Sequence, residues 1–257
     1  MDKIRSPLAG WLGGKHQLAG RIISRIPEHQ CYAEPFAGAG WVFYGKHPSP
    51  VEVINDINKE IVTLYRVVQH HLDEFVRQFR WLLVSRDEYL RRWEENPDSM
   101  TDIQRAVRFY YIHQNSFGGK IAGASFGTAT TRPPKLNLLR VEEELSAAHL
   151  RLSRAYIENL PYADLIRRYD RDTTFFYIDP PYWNCEDYYG KGLFNKGDFA
   201  VLATLMAGLK GKAMMSINDT PEIREIFHDF KLEEVSVRYS TGRNSRPRVT
   251  ELFITNY

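Results

Sequence analysis

A chain of 257 residues, 43% hydrophobic, 26% charged and 13% aromatic, has the balance of an ordinary globular protein of one large domain or two small ones. No apolar run approaches the ~20 residues of a membrane span, and residues 1–20 are too polar and Gly-rich for a secretory leader, so no membrane partner and a cytoplasmic setting are expected. Two distant cysteines, Cys31 and Cys185, give neither a disulfide framework nor zinc-ligand spacing, no metal is expected, and a net charge of +2 implies no partner by itself.

In chain order, the first pattern is a helix over 16–26, with Leu18, Ile22, Ile23 and Ile26 on one face and Pro27 stopping it. A short strand over 31–34 runs into Pro35-Phe36-Ala37-Gly38-Ala39-Gly40, followed by a helix from Trp41 and a strand over 51–55. Strand, Gly-rich turn, helix and strand open a parallel α/β sheet. From 59 to 114 the apolar residues instead recur at helical spacing, as in Ile61, Leu64, Tyr65 and Val68, with a polar loop over 94–101. Alternation resumes near Tyr156, with strands over 155–159, 174–178 and 213–217 and helices over 163–169, 198–209 and 221–230. Two last strands, 232–239 and 251–256, form a hairpin. The expected architecture is an α/β, Rossmann-like sheet domain built from 1–58 and 141–257. A helical module, 59–140, interrupts it.

The charge is segregated. From 103 to 141 there is no acid, while Arg105, Arg108, Lys120, Arg132, Lys135 and Arg140 stand there; from 235 to 250 there are only Arg238, Arg243, Arg246 and Arg248. Those ten positive charges against a net of +2 leave −8 for the remainder, the layout of a nucleic-acid face. The first stretch also holds Asn115, Ser116 and several glycines around Phe117, Ile121 and Phe126, which suggests a hairpin or loop able to approach a groove. Arg105, Asn115, Lys120, Arg132, Lys135, Arg243 and Arg246 are therefore the candidate nucleic-acid contacts.

Chemistry concentrates in three segments. Glu34-Pro35-Phe36-Ala37-Gly38-Ala39-Gly40 ends the first strand, where glycines let the backbone pass close to a ligand. Position 43 is Phe43, not the third glycine of a dinucleotide loop. Asp56, in Asn55-Asp56-Ile57-Asn58 at the end of the second strand, can accept from both ribose hydroxyls, so an adenosine cofactor lacking a pyrophosphate fits better than NAD. Asp179-Pro180-Pro181-Tyr182 follows the strand over 174–178. Its two prolines hold the Asp179 carboxylate, the Pro180 carbonyl and the Tyr182 ring in fixed relation. Two such acceptors can bind both protons of a nucleobase amino group and direct its lone pair at an electrophile, while Tyr182 stacks on a base that has left the duplex. Ahead of the first helix, the Gly13 and Gly14 amides can hold a carboxylate, and Lys15 or Trp11 can cover the ligand. Taken singly, each segment also has a plain structural use as a turn or a helix cap.

Trp11 to Lys15, the 34–40 loop, Asn55-Asp56-Ile57-Asn58 and Asp179-Pro180-Pro181-Tyr182 stand in the order and approximate spacing of the DNA adenine-N6 methyltransferases of the Dam type, which the chain resembles over nearly its whole length. The resemblance implies a Rossmann-like methyltransferase sheet with an inserted helical target-recognition domain, S-adenosylmethionine as cofactor, and double-stranded DNA as the partner of a monomeric enzyme. It implies cofactor contacts at Trp11, Gly13, Gly14, Lys15, Glu34, Pro35, Phe36, Gly38, Gly40, Asp56, Ile57, Asn159, Leu160 and Asp179. Asp179, Pro180, Pro181 and Tyr182 would act on the flipped adenine. Methylation of cytosine N4 or a glutamine amide suits the same edge geometry; a DNA-binding regulator and a metal nuclease using Glu34, Asp56 and Asp179 are the readings from other classes.

Overall fold

An unbroken apolar run reads as a strand covered on both faces, and β4 (Thr174–Ile178) is one: Thr174, Phe175, Phe176, Tyr177 and Ile178 are all buried. In the computed structural model, which describes residues 4–11, 15–117, 125–131, 133–186, 192–238 and 248–257, β4 lies at the centre of a seven-stranded sheet. The other strands are β1 (Cys31–Glu34), β2 (Val51–Asn55), β3 (Tyr156–Glu158), β5 (Lys212–Asn218), β6 (Lys231–Arg238) and β7 (Arg248–Thr255). Their order is β3-β2-β1-β4-β5-β7-β6. β1 runs parallel to β2 and β4, and β5 is parallel to β4; β7 is antiparallel to both β5 and β6. The expected strands over 31–34, 51–55 and 174–178 have these bounds, and the α/β class holds.

The chain forms two compact units. One is His16–Ala37, His47–Ile57 and Glu158–Tyr257; the other is Met1–Lys15, Gly38–Lys46 and Asn58–Ile157. In the sheet unit, Ala33, Val53, Phe176, Ile178, Met215, Ile217, Leu252 and Ile254 meet side chains of α8 (Tyr162–Tyr169), α9 (Lys196–Ala207) and α10 (Pro221–Ile226). Leu165, Ile166, Phe199, Leu202 and Met206 are fully or nearly fully buried there, each worth about 1.5–3 kcal/mol of transfer free energy. Asn195 and Asp198 form a capping box that starts α9, and Thr220 with Pro221 starts α10. The helix expected over 16–26 is shorter, α1 (Ala19–Ile23). Leu18 offers no side-chain cap, and the amides of Arg25 and Ile26 turn back three residues, to the Ile22 and Ile23 carbonyls.

The second unit carries α2 (Trp41–Gly45), α3 (Lys59–His70), α4 (Leu72–Phe79), α5 (Arg86–Glu94), α6 (Asp102–Asn115) and α7 (Val141–Leu152). α6 is packed by α3, α4 and α5. α7 packs on α3 and α4 through a row of buried side chains that includes Leu145, Ala148 and Leu152, so it clusters with the helical unit although 141–157 was expected in the sheet half. Ser116 and Phe126 form an antiparallel bridge after α6, with Phe117 N–H donating to the Ser125 carbonyl (2.9 Å) and Gly127 N–H to that of Asn115 (2.8 Å). The hairpin or loop expected here falls in part on residues 118–124, which lie outside the described ones. Among the described residues no helix is long and apolar enough to cross a membrane.

Candidate active site

Ligands of open α/β sheets bind outside the carboxyl ends of the strands where the strand order reverses, and here the order reverses between β1 and β4. The pairing Ala33↔Phe176 sets the end of β1, Glu34 onward, alongside Tyr177, Ile178 and the Asp179 turn. β2 closes the other side of β1 through Glu34↔Ile54. Asn55, buried at the end of β2, ties this edge together. Its Nδ2 donates to the carbonyls of Pro35 (2.8 Å) and Leu160 (3.0 Å), its Oδ1 accepts from Leu160 N–H (2.8 Å), and its own carbonyl accepts from Ala37 N–H (2.8 Å). Asn159 Nδ2 adds bonds to the carbonyls of Asp56 (2.7 Å) and Ile57 (3.2 Å). Thus Pro35, Asp56, Ile57, Asn159 and Leu160 gather at one edge. Glu34 is buried and accepts from the Tyr32 hydroxyl at 2.5 Å, while Phe36 stacks on Tyr162 and meets Phe194 edge-on. In the sequence Asn55 stands in Asn55-Asp56-Ile57-Asn58, and an asparagine at the end of an apolar strand is the signal that points to it.

The Asp179 turn is held from β4, β5 and β7. Ser216 Oγ donates its one hydrogen to Asp179 Oδ1 (3.3 Å) and so is left to accept from the Tyr177 hydroxyl (2.7 Å). Burial, with the Asp179 charge next, pushes the Tyr177 phenol well above its ordinary value and keeps it a donor. The Tyr182 hydroxyl donates to Oε1 of fully buried Glu251 (2.5 Å), and Trp183 exchanges two backbone bonds with the Asn218 side chain (2.9 and 3.2 Å). Pro180 and Pro181 are buried and Asp179 is half-buried. Asn184 turns the chain out through the left-handed region at φ 67°.

In the helical unit Gly38 (φ 47°) and Gly40 (φ 62°) adopt left-handed conformations, and Gly40 opens α2. Their carbonyl neighbourhood is fixed from afar in sequence: Tyr65 OH donates to Gly38 O (2.6 Å) and Ser6 Oγ to Ala39 O (2.5 Å). A side chain at Gly38 would meet the Trp11 indole nitrogen at 3.7 Å. That indole, packed on Phe109 and His113, has a buried N–H without an acceptor among the described residues. Lys15 is buried. Gly13 and Gly14 lie outside the described residues.

The buried Arg105 guanidinium bonds to Glu60 (2.7 Å through Nε) and Asp98 (3.0 Å), both outside the stretch that was counted for charge. Arg108 donates to the carbonyls of Arg92 (2.7 Å) and Trp93 (3.2 Å), Lys135 to that of Ala9 (2.8 Å), and Arg140 pairs with Glu143. Asn115 is buried, its amide bonded to the Tyr111 carbonyl (2.9 Å). These side chains are therefore engaged within the protein, whatever their charge contributes at a distance. Lys120, Arg132, Arg243 and Arg246 lie outside the described residues.

Carboxylates at Asp56 and Asp179, apolar surface at exposed Ile57 and half-buried Leu160, and a rigid acceptor turn make an edge that fits a nucleoside and an amino group to be handled beside it. In its own unit, the buried indole N–H of Trp11, without an acceptor among the described residues, lies beside the glycine bend. This is the equipment of a group-transfer enzyme of the α/β class working on a planar amine. Residues 11–241 match the family of D12 class N6 adenine-specific DNA methyltransferases, and the chain belongs to it. It is therefore an adenine-specific DNA methyltransferase, as the resemblance implied, and the family requires a methyl donor and a DNA substrate. The chain is 31% identical to the DNA adenine methylase of Escherichia coli (strain K12), over 94% of its own length and 92% of that protein's. It is also 26% identical to the type II methyltransferase M1.LlaDCHI of Lactococcus lactis subsp. cremoris (98% and 95%). With the type II methyltransferase M.CviBI of Paramecium bursaria Chlorella virus NC1A the identity is 25% (98% and 99%).

Proposed function

We propose that the methyl donor is S-adenosylmethionine and that the acceptor adenine of duplex DNA is turned out of the stack to reach the Asp179 turn. The cofactor supplies an electrophilic methyl group on a sulfonium. Asp56 accepts from the ribose hydroxyls, and Ile57 and Leu160 contact the cofactor's base, with Asn159 fixing the loop beneath. The assignment of Trp11, Lys15, Gly38 and Gly40 to the cofactor follows the family resemblance and is supported, within their own unit, by the buried indole N–H beside the left-handed bend.

Asp179 and the Pro180 carbonyl accept hydrogen bonds from the two N6 hydrogens, which localises the nitrogen lone pair for attack, and Tyr182 stacks on the base. Unstacking costs a few kcal/mol, offset in part by about 1–3 kcal/mol of stacking. Most of the acceleration comes from alignment. The helical unit serves target recognition. Within the basic stretches, Lys120, Arg132, Arg243 and Arg246 are assigned to DNA, because Arg105, Asn115 and Lys135 are bonded inside the protein. The enzyme acts as a monomer.

One observation carries the reading: the β1–β4 register together with the Asn55 bonds gathers the 34–37 loop, Asp56, Leu160 and the Asp179 turn at a single edge of the sheet unit. The test is transfer of labelled methyl from S-adenosylmethionine to unmethylated DNA, followed by nucleoside analysis. N6-methyladenine from the parent, and none from Asp179→Ala while duplex binding persists, is the expected result. Equal loss of transfer and duplex binding in a folded Asp179→Ala overturns the role given to Asp179.

A further inference from the structure

Glu251 is fully buried in a strand whose next residues are Leu252, Phe253 and Ile254, a costly place for a carboxylate unless strong donors meet it. One donor is the Tyr182 hydroxyl at 2.5 Å. Directly across the antiparallel pair from Glu251 stands Asn218, which grips the backbone of the next residue, Trp183, through both its amide oxygen and its amide nitrogen. A single rung of β5 and β7 thus holds consecutive residues of the turn.

We propose that Glu251 is a positioning residue for methyl transfer, anchoring the far end of the Tyr182 ring on which the target base stacks. The inference rests on the role given to Tyr182 above. A tyrosine ring turns about two side-chain bonds; with its backbone neighbour pinned by Asn218 and its far end by Glu251, the ring is held at both ends. A bond to a carboxylate is about twice as strong as one between neutral groups, which suits a platform that must be oriented before the base arrives. It also gives the antiparallel β7 a task at the carboxyl edge of a sheet whose β1, β2, β4 and β5 are parallel.

The test compares Glu251→Leu, Glu251→Gln, Tyr182→Phe and Tyr182→Ala in the full chain. It measures kcat and KM for unmethylated DNA, S-adenosylmethionine affinity and circular dichroism. Loss of alignment without loss of docking lowers kcat of Glu251→Leu about tenfold to a hundredfold, with KM for DNA within about twofold. Glu251→Gln, which keeps an acceptor oxygen, recovers most of that loss. Tyr182→Phe falls like Glu251→Leu, and combining the two adds little. Should Glu251→Leu fail to fold, Tyr182→Phe decides, since it removes only the hydroxyl. Parental kcat in folded Glu251→Leu or in Tyr182→Phe overturns the inference, as does a loss confined to KM. Parental activity in Tyr182→Ala instead overturns the stacking role itself, so the two failures are distinguishable.

Discussion

Replacing Asn55 by alanine should loosen the catalytic edge without touching any group assigned to chemistry. The side chain makes three hydrogen bonds, two donated to the Pro35 and Leu160 carbonyls and one accepted from Leu160 N–H, at 2.8–3.0 Å in a residue 1% exposed. At about 1 kcal/mol net for each bond, Asn55→Ala costs about 3 kcal/mol. In a protein of this size that is about 6–12 °C in thermal midpoint. Because the bonds join the loop after β1 to the segment after β3, S-adenosylmethionine affinity should fall along with stability. Asn55→Asp discriminates further: it keeps the acceptor for Leu160 N–H but turns a second oxygen on two carbonyls, so it should be no better than alanine. Thermal unfolding and calorimetric titration with S-adenosylmethionine measure both effects. An Asn55→Ala protein with parental midpoint and parental affinity would refute the claim that this side chain locks the edge.

Arg105→Ala should destabilise the helical unit by about 3 kcal/mol, because it leaves the Glu60 carboxylate without a buried partner, while the salt dependence of DNA binding stays unchanged. A slope of log affinity against log salt lower by about one unit would return Arg105 to the DNA face. Gly40→Ala should lower the thermal midpoint by a few degrees. A left-handed non-glycine residue costs about 1–2 kcal/mol, and the new methyl would stand 3.2 Å from the Tyr44 ring. An unchanged midpoint in a scanning fluorimetry trace would contradict this. The Arg224 guanidinium, hydrogen-bonded at 2.6 Å, holds the Asp219 carboxyl below its usual range. The stability this contributes is fully present above the ordinary carboxylate value and is lost as pH falls through the depressed one. The difference in denaturant midpoint between the parent and Asp219→Asn should therefore shrink below about pH 4, and a gap that widens in acid would be the contrary result.

Interior parallel strands were legible because they are short apolar runs closed by Glu-Pro, Asn-Asp or Asp-Pro, residues that cannot continue a buried ladder. The edge motifs were legible for the same reason, since the chemistry sits where the strands stop. Charge counting was weaker. Arg105 and Lys135 look like a nucleic-acid face until their partners are known, and Glu60 and the Ala9 carbonyl are remote in sequence. The row Val141, Leu145, Ala148 and Leu152 has the helical period, but periodicity alone does not tell which unit a helix packs on, and its partners on α3 and α4 are remote in sequence. Lys120, Arg132, Arg243 and Arg246 stand as sequence-based assignments.

The buried polar groups of the sheet unit answer one another. Asn55 closes β2, Ser216 and Asn218 end β5, and Glu251 faces Asn218 from β7; each spends its side chain on a loop at the same edge. A buried polar residue is tolerated when its partners are supplied, and here the partners are the backbone and side chains of the loops to be positioned. The burden of precision therefore lies one layer behind the residues that meet substrate. Strand register fixes that layer, whereas the loops alone, with Asp179 only half-buried, would be free to drift. Substitutions at Ser216, Asn218 and Glu251 should register as losses of turnover in a protein that still binds its cofactor and DNA, whereas Asn55→Ala also weakens cofactor binding.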